Sequence, residues 1–540
     1  MGECLLWEQK VKGSSPFIPI SFFQKGMWFL KLYFDFVFYM PEFILIFYIL
    51  IFTIYGLVYE KSKHYNQLAS TLSNVASLVL IFIIFLVIHF YWIMFFNSFE
   101  KDWLARNVLF EGSYDLSKFA LFNKIICSIL GISCLQVSKT YFNFKKFYYF
   151  EVVVLILIIV LGGFVVTASL DLIFFYVGME VISLSLFILI SLKKNEKQAI
   201  ESSIKYFILS SIASACIVFG AALLYSIVGT TNLPMLSGVA FKLKGSLKIR
   251  FFVGSFLILV GMLYKLAGFP FHYWIGDVYL GAPSPVVLVM TTLSKYPMIV
   301  FLLKLNFYIF HCSGPVIYFI YFSGIFSILI GSFYAYGQNE VKRIIAYSSI
   351  VHSGFILLGI SSGNFFSYTG VVTYSLIYFI TSFSFFSFFL SCYKGGSKKM
   401  FLHIKDYTGL GEQQPLVAFI LTISFFSFMG IPPLIGFFGK YFILFLAITK
   451  IKILHLLTIL LITIIGSLYY FRFIRNIYFR ETDHWKAPLA KWEENKFGYF
   501  FFIFYGVLSL FGFFFFWLFY RFFRKNNNFR FSLMGKCIYK

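Results

Sequence analysis

Four side chains in this sequence have the type and setting that proton chemistry requires. Glu180 is the only charge between Leu172 and Leu192, and Lys265 the only one between Phe251 and Gly276. Lys295 is alone between Val278 and Leu303, and Lys440 between Gln413 and Thr449. An ionisable side chain at membrane depth costs ~3 kcal/mol on insertion scales, so such residues mark ion or proton pathways. One acid and three lysines make alternating hosts for a proton. Burial weakens an ammonium's hold on its proton and a nearby carboxylate strengthens it. A carboxylate that approaches or withdraws would therefore switch a lysine between uptake and release. Moving one charge against roughly 150 mV takes about 3.5 kcal/mol, within reach of a buried counter-charge.

A plainer reading stands beside each residue. Lys295 could snorkel to an interface through its long stem. Glu180 and Lys265 could form a static buried ion pair. His352 in "SSIVHSGF" reads as a polar packing residue, and His272 and Asp277 as caps after a helix break. Lys205 and Lys342–Arg343 begin apolar segments and read as interface markers.

The elements that position these residues are membrane spans. The chain has 540 residues, 60% hydrophobic and 12% charged, and a mean hydropathy of +0.85. A soluble domain is about one-quarter charged, so this is an all-α integral membrane protein. A span needs roughly 20 apolar residues, which predicts about 14 transmembrane helices. They lie near 36–58, 70–97, 117–136, 148–169, 171–191, 205–228, 251–270, 286–304, 315–337, 343–361, 365–391, 414–446, 453–472 and 498–520. The third is the weakest, being short and carrying Lys118 and Lys124. An even count puts both termini on one side. The Lys-rich stretches 193–205 and 394–405 point the odd-numbered loops to the positive-rich compartment.

The twelfth segment is too long for one pass and holds "GIPPLIGFFGKYF". Proline removes a backbone donor and clashes with the preceding turn, which predicts a broken helix. The seventh holds "KLAGFPFH", with the same ingredients. Two interrupted segments five apart predict two inverted five-helix repeats, helices 4–8 and 9–13, with broken helices 7 and 12 at a transport site. The boundaries that follow are 1–35 (extension), 36–147 (three helices), 148–310 and 311–475 (repeats), and 476–540 (loop, last helix and basic tail). Two proline kinks that only shape packing are the plainer alternative.

The net charge of +23 sits in short loops and tails, where it sets orientation and meets headgroups rather than nucleic acid. The tail "RFFRKNNNFRFSLMGKCIYK" has six cations and no acid, suited to lipid phosphates or an acidic partner. None of the seven cysteines forms a C-x-x-C, which argues against iron–sulfur or zinc ligation. Neither a P-loop nor G-x-G-x-x-G is present, and no signal peptide is read at the N-terminus. The 78 Phe and 37 Tyr have A/T-rich codons, as an organellar genome would favour.

The stretches "YVGMEVISLSLFILIS", "SIKYFILSSIASA", "YKLAGFPFHYWIGDVYLGAPSPV", "NEVKRIIAYSSIVHSG" and "DYTGLGEQQPLVAFILTISFFSFMGIPPLIGFFGKYF" resemble the chain 2 family of NADH:ubiquinone oxidoreductase, respiratory complex I. "MPEFILIF" and "FEVVVLILIIVLGG" resemble its first and fourth segments. The resemblance covers roughly residues 36–475. It implies an antiporter-like, proton-pumping subunit with two half-channels joined by a polar axis, and it maps the relay onto Glu180, Lys265, Lys295 and Lys440. It also implies three N-terminal helices that animal versions lack, and no redox centre on this chain. NADH, FMN, the iron–sulfur clusters and ubiquinone would belong to other subunits. Implied partners are chain 4, chain 4L and neighbouring membrane-arm subunits, accessory subunits and lipids such as cardiolipin, in the mitochondrial inner membrane. Two other readings remain: an Mrp-type cation/proton antiporter, against which "DVYLGAPSP" argues, and a structural subunit with an inert channel.

Overall fold

Hydrocarbon offers a peptide group no water to bond, so an apolar chain must satisfy its backbone internally, as helix. The computed structural model describes residues 35–59, 65–96, 108–145, 150–363, 365–394, 400–448, 453–480, 490–491 and 496–511. The expected N-terminal extension before Asp35, the basic tail from residue 512, Cys4 and Cys537 lie outside the described residues. Among those described, twelve helices are long and apolar enough to cross a membrane. The other two predicted segments hold shorter apolar helices, Pro415–Met429 with Ile435–Ala447, and Gly498–Leu510. The protein is a multi-pass membrane protein.

The first helices are α1 (Met40–Tyr59), α2 (Tyr65–Phe96), α3 (Lys118–Lys145), α4 (Glu151–Ala168), α5 (Leu172–Ser191), α6 (Lys197–Val228) and the short α7 (Leu233–Ala240). Next come α8 (Gly245–Leu266), α9 (Trp274–Gly281), α10 (Ser284–Thr291), α11 (Lys295–Tyr308), α12 (Gly314–Gly337) and α13 (Val341–Ser361). The last are α14 (Phe365–Ser391), α15 (Leu410–Gln413), α16 (Pro415–Met429), α17 (Ile435–Ile448), α18 (Ile453–Tyr478) and α19 (Lys496–Leu510). The stretch Ser284–Cys312, which carries α10 and α11, is the innermost, 94% of its apolar window being buried; for α1 the share is 22%. Lys295 therefore sits on the central helix of the bundle.

The third segment is a full helix, and the doubt raised by its lysines is corrected. Lys124 is completely buried and paired with Glu42 of α1 at 2.8 Å. A paired charge inside the bundle does not oppose insertion as an unpaired one facing lipid does.

Both expected breaks are present. Helix α8 stops at Leu266, and Ala267 turns left-handed at φ 56°. Gly268 N–H then bonds back to Leu263 O at 2.8 Å, which satisfies a carbonyl at the helix end. Helix α16 stops at Met429, and Gly430 turns left-handed at φ 83°. A third break falls where none was expected, at 292–294 between α10 and α11. Here Ser294 N–H skips to Val289 O at 3.1 Å. The Thr292 and Ser294 hydroxyls bond to the carbonyls of Leu288 and Met290, and Pro297 lacks a donor for the new helix's first turn.

Loops alternate between two faces. Strand β1 (Val108–Leu109) pairs antiparallel with β2 (Tyr114–Asp115). Bridges from Tyr114 to Ser169 and from Asp171 to Asn232 join the loops after the second, fourth and sixth spans on one face. A bridge from Glu340 to His403, and strand β3 (Tyr393–Lys394) paired with β4 (Ala490–Lys491), join the loops after the ninth, eleventh and thirteenth on the other. Loops after even-numbered predicted segments thus join one another, and loops after odd-numbered ones do the same.

Candidate functional site, a buried glutamate and lysine axis

Glu180 and Ser183 lie three residues apart on α5 and so share a side of it. Asp171 starts that helix by accepting a bond from Ile173 N–H at 2.7 Å, an N-cap that satisfies one orphan donor. Helices α6 and α8 approach closely at glycines. A Cβ on Gly261 would stand 2.7 Å from Ala213 O, and one on Gly220 would stand 2.6 Å from Gly254 O. Lys265, four residues beyond Gly261, reaches α5 and donates to Ser183 Oγ at 2.6 Å. Glu180 and Lys265 form no direct ion pair in this arrangement. The carboxylate keeps Oε1 buried with no hydrogen-bond partner, yet it is the charged group that acts on the Lys265 ammonium. The static-pair reading of these two residues therefore lacks its contact.

Lys295 opens α11 immediately after the third break. It is 4% exposed, too buried to snorkel, and donates to Ser349 Oγ of α13 at 3.2 Å. Tyr279 of α9 lies beside Ser349, and Tyr206 of α6 lies beside Ser183, feels Glu180 and acts on Tyr264. Hydroxyl groups thus stand between the Lys265 and Lys295 ends of the axis.

His352, on α13 one turn beyond Ser349, lies between the last two lysines and feels the charge of both Lys295 and Lys440. Its Nδ1 is 2.8 Å from the Tyr374 hydroxyl, and its ring stacks on Tyr378 at 4.4 Å. Tyr378, with Ser348, Ser382 and Tyr470, helps to line a cavity of about 20 Å³, room for a water. Lys440, on α17, donates to Phe428 O and Met429 O at 2.8 Å each. These carbonyls end α16, where the helix dipole is negative and favours a cation. The Lys440 ammonium also lies 5.3 Å from the Phe355 ring.

Of the four predicted site residues Lys295 is buried and Lys265, Lys440 and Glu180 are half-buried, Glu180 on the helix side that also carries the exposed Val177 and Leu184; the three lysines stand at helix breaks. Sequence reasoning treated His352 as packing and passed over Ser183, Ser349, Tyr279 and Tyr374. Their only sequence signal is a hydroxyl or imidazole in an apolar run. Nor did Asp277 prove a simple cap: it pairs with Lys205 at 3.0 Å and Arg343 at 3.8 Å. Lys342 donates to Ala282 O at 2.7 Å and Leu280 O at 3.3 Å, which closes the end of α9. A second buried set, Glu42 with Lys124 and Asp115 with Lys304 at 3.2 Å, was missed as well. Lys304 had served only to bound the eighth segment.

Residues 169–466 match the family described as NADH:quinone oxidoreductase/Mrp antiporter, TM. The chain belongs to this family. The match spans all four relay candidates and His352 within the antiporter-family region. NADH-quinone oxidoreductase subunit N of Pelagibacter ubique is 32% identical over 392 residues, 71% of this chain and 81% of that protein. NADH-ubiquinone oxidoreductase chain 2 of Metridium senile is 33% identical over 340 residues, 62% of this chain and 85% of that one. A solved structure of respiratory complex I from Thermus thermophilus contains a chain with the same fold. That chain has a TM-score of 0.69 at 23% identity, with 87% of this chain and 96% of it covered.

Proposed function

We propose that this antiporter-family chain is a proton-translocating membrane-arm subunit of respiratory complex I, with Glu180, Lys265, Lys295 and Lys440 as its relay. One observation supports the reading: Lys265, Lys295 and Lys440 sit at interrupted helices, two of them bonded to serine hydroxyls, with Glu180 acting on Lys265 and the His352 ring feeling both Lys295 and Lys440. Electron transfer in other subunits changes the charge around Glu180. Lys265, held by a neutral hydroxyl three residues from that carboxylate, moves toward it or away and changes its proton affinity. Lys295, His352 and Lys440 pass the proton along. NADH, FMN, iron–sulfur clusters and ubiquinone belong to partner subunits. Chain 4, chain 4L and accessory subunits flank this chain, and phospholipids such as cardiolipin cover its apolar sides, in the mitochondrial inner membrane.

The proposed halves, 148–310 and 311–475, draw support from matching features. The first two helices of each half meet at reciprocal glycines, Gly162 with Gly178 and Gly324 with Gly354. The fourth span of each half is interrupted by a left-handed residue, Ala267 or Gly430. The family description also embraces Mrp antiporters. The subunit N and chain 2 relatives, matched over more than two thirds of their length, favour the complex I reading. The test is Lys265→Ala in an assembled complex. Loss of proton pumping with NADH oxidation is expected; undiminished pumping would overturn the relay, and sodium exchange without redox partners would favour the Mrp reading.

A further inference from the structure

We propose that Glu42, Lys124, Asp115 and Lys304 form a second proton-exchange route, from the level of Lys295 to the membrane face beneath the β1–β2 hairpin. It rests on the proton-translocating reading above and meets that relay only at Lys295, its own four side chains lying outside it.

Two complete ion pairs lie buried where the three N-terminal helices meet α4 and α11. Lys124 Nζ is 2.8 Å from Glu42 Oε1, both side chains fully buried. Lys304 Nζ is 3.2 Å from Asp115 Oδ2, the side chains 2% and 1% exposed. The pairs are neighbours, for Lys304 feels the charge of Lys124. A buried pair gains little over apolar side chains of the same volume, so stability is a weak reason for two of them. The set is also chemically open. Glu42 Oε2 and the Tyr308 hydroxyl are buried with no hydrogen-bond partner. The Tyr114 hydroxyl donates to Glu42 Oε1, and its ring lies 4.8 Å from the Lys124 ammonium.

The set is aligned with the central axis. Lys295 and Lys304 are nine residues apart on one helix, about 14 Å along its axis, or roughly half the hydrocarbon thickness. Helix α3 runs alongside in the opposite sense: Asp115, just before it, meets Lys304, and Asn123 accepts a bond from the hydroxyl of Tyr296, next to Lys295. Lys124 follows Asn123 in the chain. The outer end lies at the hairpin face, where Lys304 also donates to Ser169 O at 3.1 Å. Glu111 is exposed and Asp171 half-buried at this mouth of the route, on a face that also carries the exposed Lys242, Lys244, Lys248 and Arg250.

Each pair exchanges a proton without changing its net charge. An N–H bond of the Lys124 ammonium breaks as an O–H bond forms on Glu42, leaving a neutral amine and a neutral acid. The amine takes the next proton from the Lys295 side, and the acid releases its own toward Asp115 and Lys304, where the same exchange leads to the mouth.

The test uses the assembled complex in proteoliposomes, with protons moved per NADH oxidised as the readout. The double variants Glu42→Gln with Lys124→Gln, and Asp115→Asn with Lys304→Met, remove charge in pairs and strand none. They are expected to lower this ratio while NADH:quinone turnover persists, and Asp115→Glu alone is expected to keep it. Where a double variant fails to assemble, Tyr296→Phe removes a single hydroxyl and is expected to lower the ratio too. An unchanged ratio in either assembled double variant, or in Tyr296→Phe, overturns the route and leaves the pairs as clamps. Lys265→Ala run alongside separates the two proposals: an unchanged ratio there overturns the relay itself, whereas a loss there with none in the paired variants overturns only the second route.

Discussion

The stem of Lys440 occupies the space that a side chain on Gly430 would need. A Cβ built on Gly430 would stand 2.9 Å from Lys440 Cδ. The same glycine holds φ 83°, so the residue that breaks the helix also makes room for the lysine behind the break. Gly430→Ala is expected to cost about 1–2 kcal/mol from the left-handed backbone alone and to push Lys440 off the Phe428 and Met429 carbonyls. Thermal stability of the assembled complex and protons moved per NADH should both fall; normal pumping would show that the Lys440 position is not needed.

The bond between Lys265 and Ser183 gives a second prediction. A hydrogen bond to a charged group contributes about 1.5–3 kcal/mol. Ser183→Ala is expected to let Lys265 settle on Glu180 and to slow coupled turnover, whereas Ser183→Thr, which keeps the hydroxyl, should stay near the parent rate. Equal rates for the two variants would remove Ser183 from the account.

His352 should behave as a link rather than as packing. His352→Phe keeps the stack on Tyr378 and fills the site, but loses the Nδ1 contact with Tyr374. Pumping is expected to fall with assembly intact, and Tyr374→Phe should show a smaller fall of the same kind. A packing residue would give the reverse pattern for His352→Phe, with coupling unchanged.

The Asp115–Lys304 pair makes a prediction about stability alone. Asp115→Ala leaves a buried ammonium without its partner and is expected to cost about 3–5 kcal/mol. Combining it with Lys304→Met should recover most of the loss, read as thermal stability of the assembled complex. Additive losses in the double variant would mean that the two side chains are not coupled.

Much of this was legible in the chain itself. Fourteen apolar stretches could be counted because a span is long, continuous and apolar. The breaks at Gly268–Pro270 and Gly430–Pro433 announced themselves because glycine and proline act on the backbone locally. The break before Lys295 did not, because it depends on serine and threonine hydroxyls that bond carbonyls in unbroken helices too. Lys304 and Glu42 escaped notice for a related reason. A charge near the end of an apolar run reads as a boundary, and only the partner across the bundle shows that it is buried.

The amino-acid order by itself determined that this chain crosses a membrane many times, interrupts its helices at two marked places and sets four lone charges in apolar surroundings. Those properties follow from local hydropathy and backbone chemistry. The tertiary structure alone decided that Lys265 rests on Ser183 instead of Glu180 and that His352 stands between Lys295 and Lys440. It also brought Asp115 to Lys304 across 189 positions of chain. Such contacts are set by how helices far apart in sequence pack at their glycines, and no local pattern carries that information.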